Sequence, residues 1–329
     1  MGNVNKLNFS DKDYKLLKSL CGLTESNTYA TMEAFLRKAG YKVEAEKNYM
    51  LAFGETPVAI VAHMDTVFPH APYDFFYDRE EGVIWSPDGA GFDDRAGIFA
   101  IVKLVQSGFR PTIILTLGEE HGGIGAYELI TKYPEAPMKL KYLIELDRQG
   151  VDDCVFYKTK NRDFVDYVRR FGFRYATGTF SDISIISPAW QICSVNLSIG
   201  YVEEHSYTEH LYVRFMLSTI NKVKNMIAAA ETAPVFDWNG PEHNQDAYLA
   251  SRPMTYDNCA NCGKKHDEYE LYPLSTKDGN FKGICYDCLE IYQFWCEACN
   301  EPYFPDYDDP DRTLCYECEK ELLKIDDVH

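Results

Sequence analysis

The sequence predicts an α/β protein: a three-layer α/β/α sandwich on a mostly parallel, mixed central sheet, followed by a small zinc-ribbon domain at the C-terminal end. Three observations predict it. Continuously apolar runs, of which residues 57–62 are the clearest, alternate with helix-periodic segments over roughly the first 230 positions. A strand apolar on both faces belongs inside a sheet covered on both sides. Acidic and imidazole residues recur just after those runs, at the strand ends where such sheets place their sites. Finally, 8 of the 11 cysteines form four C-x-x-C pairs beyond residue 255.

Residues 11–21 and 27–39 are predicted helical, because Leu16, Leu17 and Leu20, then Met32, Phe35 and Leu36, recur at helical spacing. Gly40 ends the second helix. Strands follow at 41–45, 49–53 and 57–62. A helix at 94–106, a buried strand at 111–117, a helix at 123–132 and a strand at 141–146 continue the alternation. Helices at 163–171 and 182–187, a strand at 192–199 and a long helix at about 207–230 complete it. Residues 233–255 lose the periodicity and are rich in Pro, Asn and Gly, which marks a linker or wrapping segment. The expected division is therefore a catalytic domain at 1–232, this segment at 233–255, and a metal-binding domain with two four-cysteine sites at 256–329.

Charge narrows the partners. The net charge is 33 − 51 = −18; residues 256–329 carry 7 Lys and Arg against 18 Asp and Glu, or −11, and the other 255 carry 26 − 33 = −7. An acidic protein repels phosphate backbones, so no nucleic-acid partner is expected. No apolar run approaches the ~20 residues that span a membrane, and the polar N-terminus does not read as a signal peptide. Cys21, Cys154 and Cys193 are expected to be buried free thiols, and the expected location is cytoplasmic.

Five blocks carry the chemistry: His63-Met-Asp65, Asp93-Asp94-Arg95-Ala-Gly97, Glu119-Glu120, Asp147-Arg148, and His205 after Glu203-Glu204. In this order, H-x-D, D-D-x-x-G, E-E, D and H, the sequence resembles the co-catalytic zinc exopeptidase and amidohydrolase superfamily over residues 25–230. That group includes bacterial leucyl aminopeptidases, peptidase T and carboxypeptidase G. The resemblance implies that His63 and Asp147 bind one metal, Glu120 and His205 the other, and that Asp93 bridges both. Asp65 would hold the other nitrogen of His63, and Glu119 would be the general base. It also implies a cis peptide between Asp93 and Asp94. Two histidines and three carboxylates suit zinc, with cobalt or manganese as alternatives. Such a pair of ions would polarise an amide carbonyl while Glu119 moves the proton. Many members insert a dimerising lid of about a hundred residues between the last two ligands, but His205 follows Asp147 by only 205 − 147 = 58 positions. The chain is thus more similar to the lidless, aminopeptidase-like branch, including its Phe180-Ser181-Asp182 block.

Residues beside the ligands are the candidates for substrate contact. Arg148 could bind a substrate carboxylate or carbonyl, or pair with Glu145 or another motif acid. Asp182 could bind a substrate amine, or cap the following helix. Tyr201, Glu203 and Glu204 lead into His205, and Tyr157 and Arg162 are further candidates.

The cysteine pairs are Cys259/Cys262, Cys285/Cys288, Cys296/Cys299 and Cys315/Cys318, separated by 22, 7 and 15 residues. Each pair covers two corners of a tetrahedron, so four pairs close two structural zinc sites. Sequential pairing is favoured over a cross-brace that joins the first pair with the third. The expected function is an exopeptidase acting on short peptides. Alternatives are an amidohydrolase or deacylase of an N-acylated small molecule, and, from another class, an adaptor that binds a protein partner or self-associates through the cysteine-rich tail.

Overall fold

The computed structural model describes residues 9–240, 256–267, 271–275 and 281–285, and the single positions 288, 292, 294, 296, 303 and 313–315. These fall in two compact units, one within residues 9–240 and the other from residue 256 onward. The larger unit opens with α1 (Asp11–Cys21), α2 (Glu25–Lys38), β1 (Lys42–Ala45), β2 (Tyr49–Phe53), β3 (Thr56–His63), β4 (Phe76–Asp78) and β5 (Val83–Trp85). It continues with α3 (Phe92–Gln106), β6 (Pro111–Thr116), α4 (Ile124–Lys132), β7 (Tyr142–Arg148), β8 (Asp153–Val155), α5 (Arg162–Arg169) and β9 (Arg174–Tyr175). Last come α6 (Ile183–Trp190), β10 (Ser194–Ser198), β11 (Tyr201–Val202), β12 (His210–Tyr212) and α7 (Val213–Ala229). Helix α1 starts at a capping box, in which the Ser10 hydroxyl accepts from the Asp13 N–H and the Asp13 carboxylate accepts from the Ser10 N–H.

The central sheet has eight strands in the order β1-β2-β6-β3-β7-β10-β8-β9. Its inner four, β6, β3, β7 and β10, run parallel, and β1, β2 and β8 pair antiparallel. From β3 the chain crosses to β6 on one side, then from β6 back over β3 to β7. Right-handed crossovers in opposite directions set α3 and α4 on opposite faces. The face under α4 and α6 packs Ala59, Val61, Ile114 and Leu143 against Ala126, Leu129, Ile183 and Ile186. Alternation sends Val58, Ile60 and Ala62, all buried, to the other face. The reversal of direction at β3 opens a crevice at the carboxyl ends of β3, β6 and β7, where ligands bind in sheets of this type.

A second, four-stranded sheet, β11-β12-β5-β4, has no counterpart among the sequence expectations. It corrects the long helix expected from residue 207: His210 and Leu211 pair with Trp85 and Ile84, and the helix begins only at Val213. Between Asp147 and His205 the chain builds β8, β9 and β10 of the central sheet with α5 and α6, so no inserted lid occurs there. The first residues of the expected linker or wrapping segment lie within the larger unit. The Phe236 ring lies 5.1 Å from both Phe164 and Tyr167, and the Asp237 carbonyl accepts from Asn161 Nδ2 at 2.6 Å. Its residues 241–255 lie outside the described residues. Cys21, Cys154 and Cys193 are free and buried. No helix among the described residues is long and apolar enough to cross a membrane.

In the smaller unit, β13 (Tyr256–Asn258) and β14 (Lys265–Asp267) form one antiparallel pair, and β15 (Leu271–Ser275) and β16 (Phe281–Cys285) another. The Ala260 N–H donates to the Gly283 carbonyl at 2.7 Å and ties the two together.

Candidate metal centre

The crevice gathers all five motif blocks. His63 ends β3, Glu119 and Glu120 follow β6, and Asp147 lies near the end of β7. Asp93 and Asp94 open α3 with non-helical backbone angles and are joined by a cis peptide. His205 comes from the β11–β12 turn. The glycine of D-D-x-x-G has a packing reason: a Cβ at Gly97 would lie 2.4 Å from both Asp94 Oδ1 and the Leu146 carbonyl oxygen. Asp94 uses the space so kept, accepting from the backbone N–H of Gly97 at 2.9 Å and of His63 at 3.3 Å.

Asp93 stands between the two imidazoles. Its Oδ1 is 2.9 Å from His63 Nε2, and its Oδ2 is 3.0 Å from His205 Nε2. His63 Nε2 is also 3.4 Å from Asp147 Oδ1, and His205 Nε2 is 2.9 Å from Glu120 Oε1. Asp65 lies behind His63, with Oδ1 3.4 Å from Nδ1. The same carboxylate accepts from the backbone N–H groups of Glu119 and Glu120 at 3.3 and 3.2 Å, so one residue fixes both the imidazole and the E-E turn. His63, Asp65 and Asp93 are buried, whereas the His205 side chain is 49% exposed and marks the mouth.

Charge is badly balanced in this geometry. Burial, reinforced by the charge of Asp147, pushes the Glu119 carboxyl up to about 9. Burial and neighbouring Asp93 push Asp147 up to about 8, against the pull of His63. His205, hydrogen-bonded to Asp93, is raised to about 9. For His63 burial opposes the charged form, but Asp147, Asp65 and Asp93 outweigh it and hold the imidazole above its ordinary range. Acids this close in a poorly solvated crevice retain protons unless a cation replaces them. The donor set, two imidazoles and the carboxylates of Asp93, Asp147 and Glu120, falls in two groups that share Asp93, each within 4.8 Å, and fits divalent zinc, cobalt or manganese.

Two supporting residues lie outside the motif blocks. Glu209 is fully buried, and its carboxylate accepts from the backbone N–H of Phe92 at 3.1 Å and of Asp93 at 3.0 Å. Asn196 on β10 clamps Asp147, accepting from its N–H at 3.1 Å and donating to its carbonyl at 2.8 Å. No spacing rule announces either residue. Glu209→Ala is expected to strand two buried N–H groups, each costing about 1–3 kcal/mol. It is also expected to loosen Asp93. Thermal denaturation and chelator competition would read both effects, and Glu209→Gln, which keeps one acceptor oxygen, is expected to recover part. Unchanged melting and metal content in Glu209→Ala would mean that these bonds do not position Asp93.

The expected substrate contacts are placed differently. Asp182 is fully buried at the start of α6, caps no backbone N–H there, and accepts a short hydrogen bond from the Thr116 hydroxyl. Tyr201 is also fully buried, with its hydroxyl donating to Asp147 Oδ1 at 3.3 Å. Arg148 pairs with Asp153 at 3.5 Å, not with Glu145, whose carboxylate accepts from Ser181. Arg162 lies 3.8 Å from Asp166 on α5.

In the smaller unit, the sulphurs of Cys259, Cys262, Cys285 and Cys288 lie within 4.8 Å of one another, which joins the first and second pairs. Zinc–sulphur bonds of about 2.3 Å place tetrahedral sulphurs about 3.8 Å apart, and Cys262 Sγ lies 3.8 Å from Cys285 Sγ. Cys259 Sγ accepts from the backbone N–H of Cys285 at 3.3 Å and of Cys262 at 3.5 Å. Cys296 and Cys315 are buried together with Tyr303, beside Phe294 and Leu314. Cys299 and Cys318 lie outside the described residues.

The fold of the larger unit is similar to that of several solved peptidases. Its solved neighbours include the aminopeptidase PepT of Bacillus cereus ATCC 10987, with a TM-score of 0.55 and 14% identity over 70% of this chain and 100% of that one. A tripeptidase from Staphylococcus aureus subsp. aureus Mu50 gives 0.57 and 14% over the same shares. An aminopeptidase from the archaeon Desulfurococcus kamchatkensis gives 0.51 and 13% over 66% of this chain and 94% of that one. No protein-family model matches the sequence, and no curated protein matches it.

Proposed function

We propose that the protein is a metal-dependent exopeptidase, aminopeptidase-like, that hydrolyses short peptides at the crevice above β3, β6 and β7. The observation that carries this reading is Asp93, one buried carboxylate facing His63 through one oxygen and His205 through the other. In this reading His63 and Asp147 hold one divalent ion, Glu120 and His205 a second, and Asp93 both. When bound, such ions supply Lewis acidity that polarises the substrate carbonyl. Asp65 orients His63 and, by accepting from the Glu119 and Glu120 N–H groups, fixes the turn that carries both glutamates. Glu119 takes a proton from the attacking water and returns it to the leaving nitrogen. Without bound ions, burial keeps the Glu119 carboxyl protonated near neutral pH; the positive charge of bound ions would lower it and free it to accept that proton. The peptidase fold of the neighbours supports a peptide bond as the target.

The test is mass spectrometry of a mixed short-peptide pool incubated with zinc-loaded protein, with Glu119→Gln as control. Trimming from the amino end that depends on Glu119 is the expected result. An untouched pool would overturn the peptidase reading and favour a non-peptide amide.

The smaller unit is assigned as a structural zinc domain at 256–329, separate from the catalytic domain at 1–232. Its first site uses Cys259, Cys262, Cys285 and Cys288, and its second uses Cys296, Cys299, Cys315 and Cys318. The free buried thiols and the thiolate cluster suit a reducing, cytoplasmic setting. Cys288→Ser is expected to remove about one zinc and unfold the part of this unit built on that first site while peptide hydrolysis persists, because a structural site's binding energy is its folding energy. Zinc stoichiometry and hydrolysis on one sample check this; loss of all bound metal would contradict two independent sites.

A further inference from the structure

We infer that the cavity between the start of α2 and the β3–β4 loop is an anion site. It takes an oxyanion group, either free phosphate or the carboxylate of a small organic acid, at Arg95, Thr66 and the first turn of α2.

The cavity measures about 330 Å³, and none of the proposed metal ligands lines it. That volume is at the lower end of the roughly 300–1,000 Å³ range of ligand pockets. Arg95 lines it and is only 1% exposed. Its guanidinium donates to the Met64 carbonyl at 2.5 Å and to the Leu23 carbonyl at 3.4 Å, and it forms no ion pair among the described residues. Two carbonyls leave much of a five-donor fork unused. Burial works against its charge, and Glu25, Asp94 and Asp65, though near, do not offset that loss. A buried charge is costly unless a counter-charge meets it.

Thr66 is a second, independent observation. It lines the same cavity, and its buried Oγ1 has no hydrogen-bond partner among the described residues. Buried hydroxyls are seldom left so. A Cβ at Gly91, another lining residue, would lie 3.0 Å from that oxygen, so the glycine keeps the hydroxyl clear.

The 14-residue helix α2 begins at the same place. Thr24 Oγ1 accepts from the Asn27 N–H at 3.3 Å. The N–H groups of Glu25 and Ser26 lie in the first turn, beyond reach of the helix's own carbonyls and at the positive end of its dipole. Ser26 adds a hydroxyl. Among the described residues the one carboxylate in the lining is that of Glu25, and it is exposed.

This chemistry selects the ligand. A guanidinium fork, a hydroxyl and helix N–H groups match the oxygens of a phosphate or carboxylate. Phe68 and Pro72 supply an apolar wall for the organic part of an acid. A net charge of −18 opposes extended polyanions, so the ligand is small.

The experiment titrates the full, metal-loaded chain with inorganic phosphate and, separately, with benzoate, by isothermal titration calorimetry. Saturable binding of at least one probe is expected. Phosphate alone would identify free phosphate as the ligand, and benzoate the carboxylate of an organic acid. Arg95→Gln is expected to weaken binding about 10-fold or more, the loss of a hydrogen bond to a charged group. Because Arg95 also holds two buried carbonyls, two variants at exposed positions are measured beside it. Ser26→Ala is expected to weaken binding about 3-fold, and Glu25→Gln to strengthen it about 2- to 5-fold by removing an exposed like charge. Asp93→Ala, which removes the proposed ions, is expected to bind the probe as before. No saturable binding of either probe, or affinity unchanged in both Ser26→Ala and Glu25→Gln, would overturn the site. Binding lost in Asp93→Ala would overturn it too, by placing the anion on the ions.

Discussion

Glu119→Gln is expected to lower peptide turnover by about 10²- to 10⁴-fold, the range lost with a positioned proton carrier, while metal content and melting temperature stay near wild type. The substitution preserves size and shape. It also leaves untouched the backbone N–H that Glu119 donates to Asp65. Only the proton-accepting oxygen is lost. Glu119 is not among the residues between Asp93 and the two imidazoles, so the amide should not disturb that arrangement. Because the neighbouring Glu120 faces His205 at 2.9 Å, it is not free to substitute as the base. The check is turnover of a short peptide alongside metal analysis of the same preparation. Near wild-type turnover would remove Glu119 from the role of base, and lost metal would make it a ligand instead.

Asp93→Ala is expected to remove both ions together and with them all hydrolysis. A ligand on one ion only would take away that ion and leave the other. Asp93 reaches toward both imidazoles, so its removal leaves His63 with Asp147 and His205 with Glu120, each set short of the shared oxygen. The fall in metal affinity should exceed the roughly 10–100-fold that follows loss of a partner hydrogen-bonded to a ligand. Folding should survive, because the apolar packing of the sheet face under α4 and α6 does not involve Asp93. Metal stoichiometry at fixed free zinc, with circular dichroism on the same sample, decides the matter. One ion retained at wild-type affinity would show that Asp93 serves a single metal.

Part of this molecule is legible in the order of its residues. Apolar runs such as 57–62 and 111–117 mark β3 and β6 because strands buried on both faces need no alternation. Helical spacing locates α1 and α2 within about two residues. The order of the acidic and imidazole blocks names the ligand-type residues that the crevice brings together. Repeated C-x-x-C spacing names the cysteines of the four-sulphur cluster.

Strand order and the second sheet are not legible in this way. Residues 210–212 carry helix-compatible local preferences, yet pairing with β5 takes them into a strand. Asp182 and Tyr201 sit beside motif residues in the chain, but only the tertiary structure shows them fully buried and hydrogen-bonded to Thr116 and Asp147. Glu209 lies 116 residues from Asp93 and still holds its backbone. What the sequence determines by itself is therefore what short range encodes: periodicity, caps, and the types and order of metal-binding side chains. Tertiary structure alone decides where the strand order reverses direction, which buried acid steadies which ligand, and which buried cation lines a cavity. Those outcomes depend on desolvation and on contacts between residues far apart in the chain, and neither is written in the spacing of neighbours.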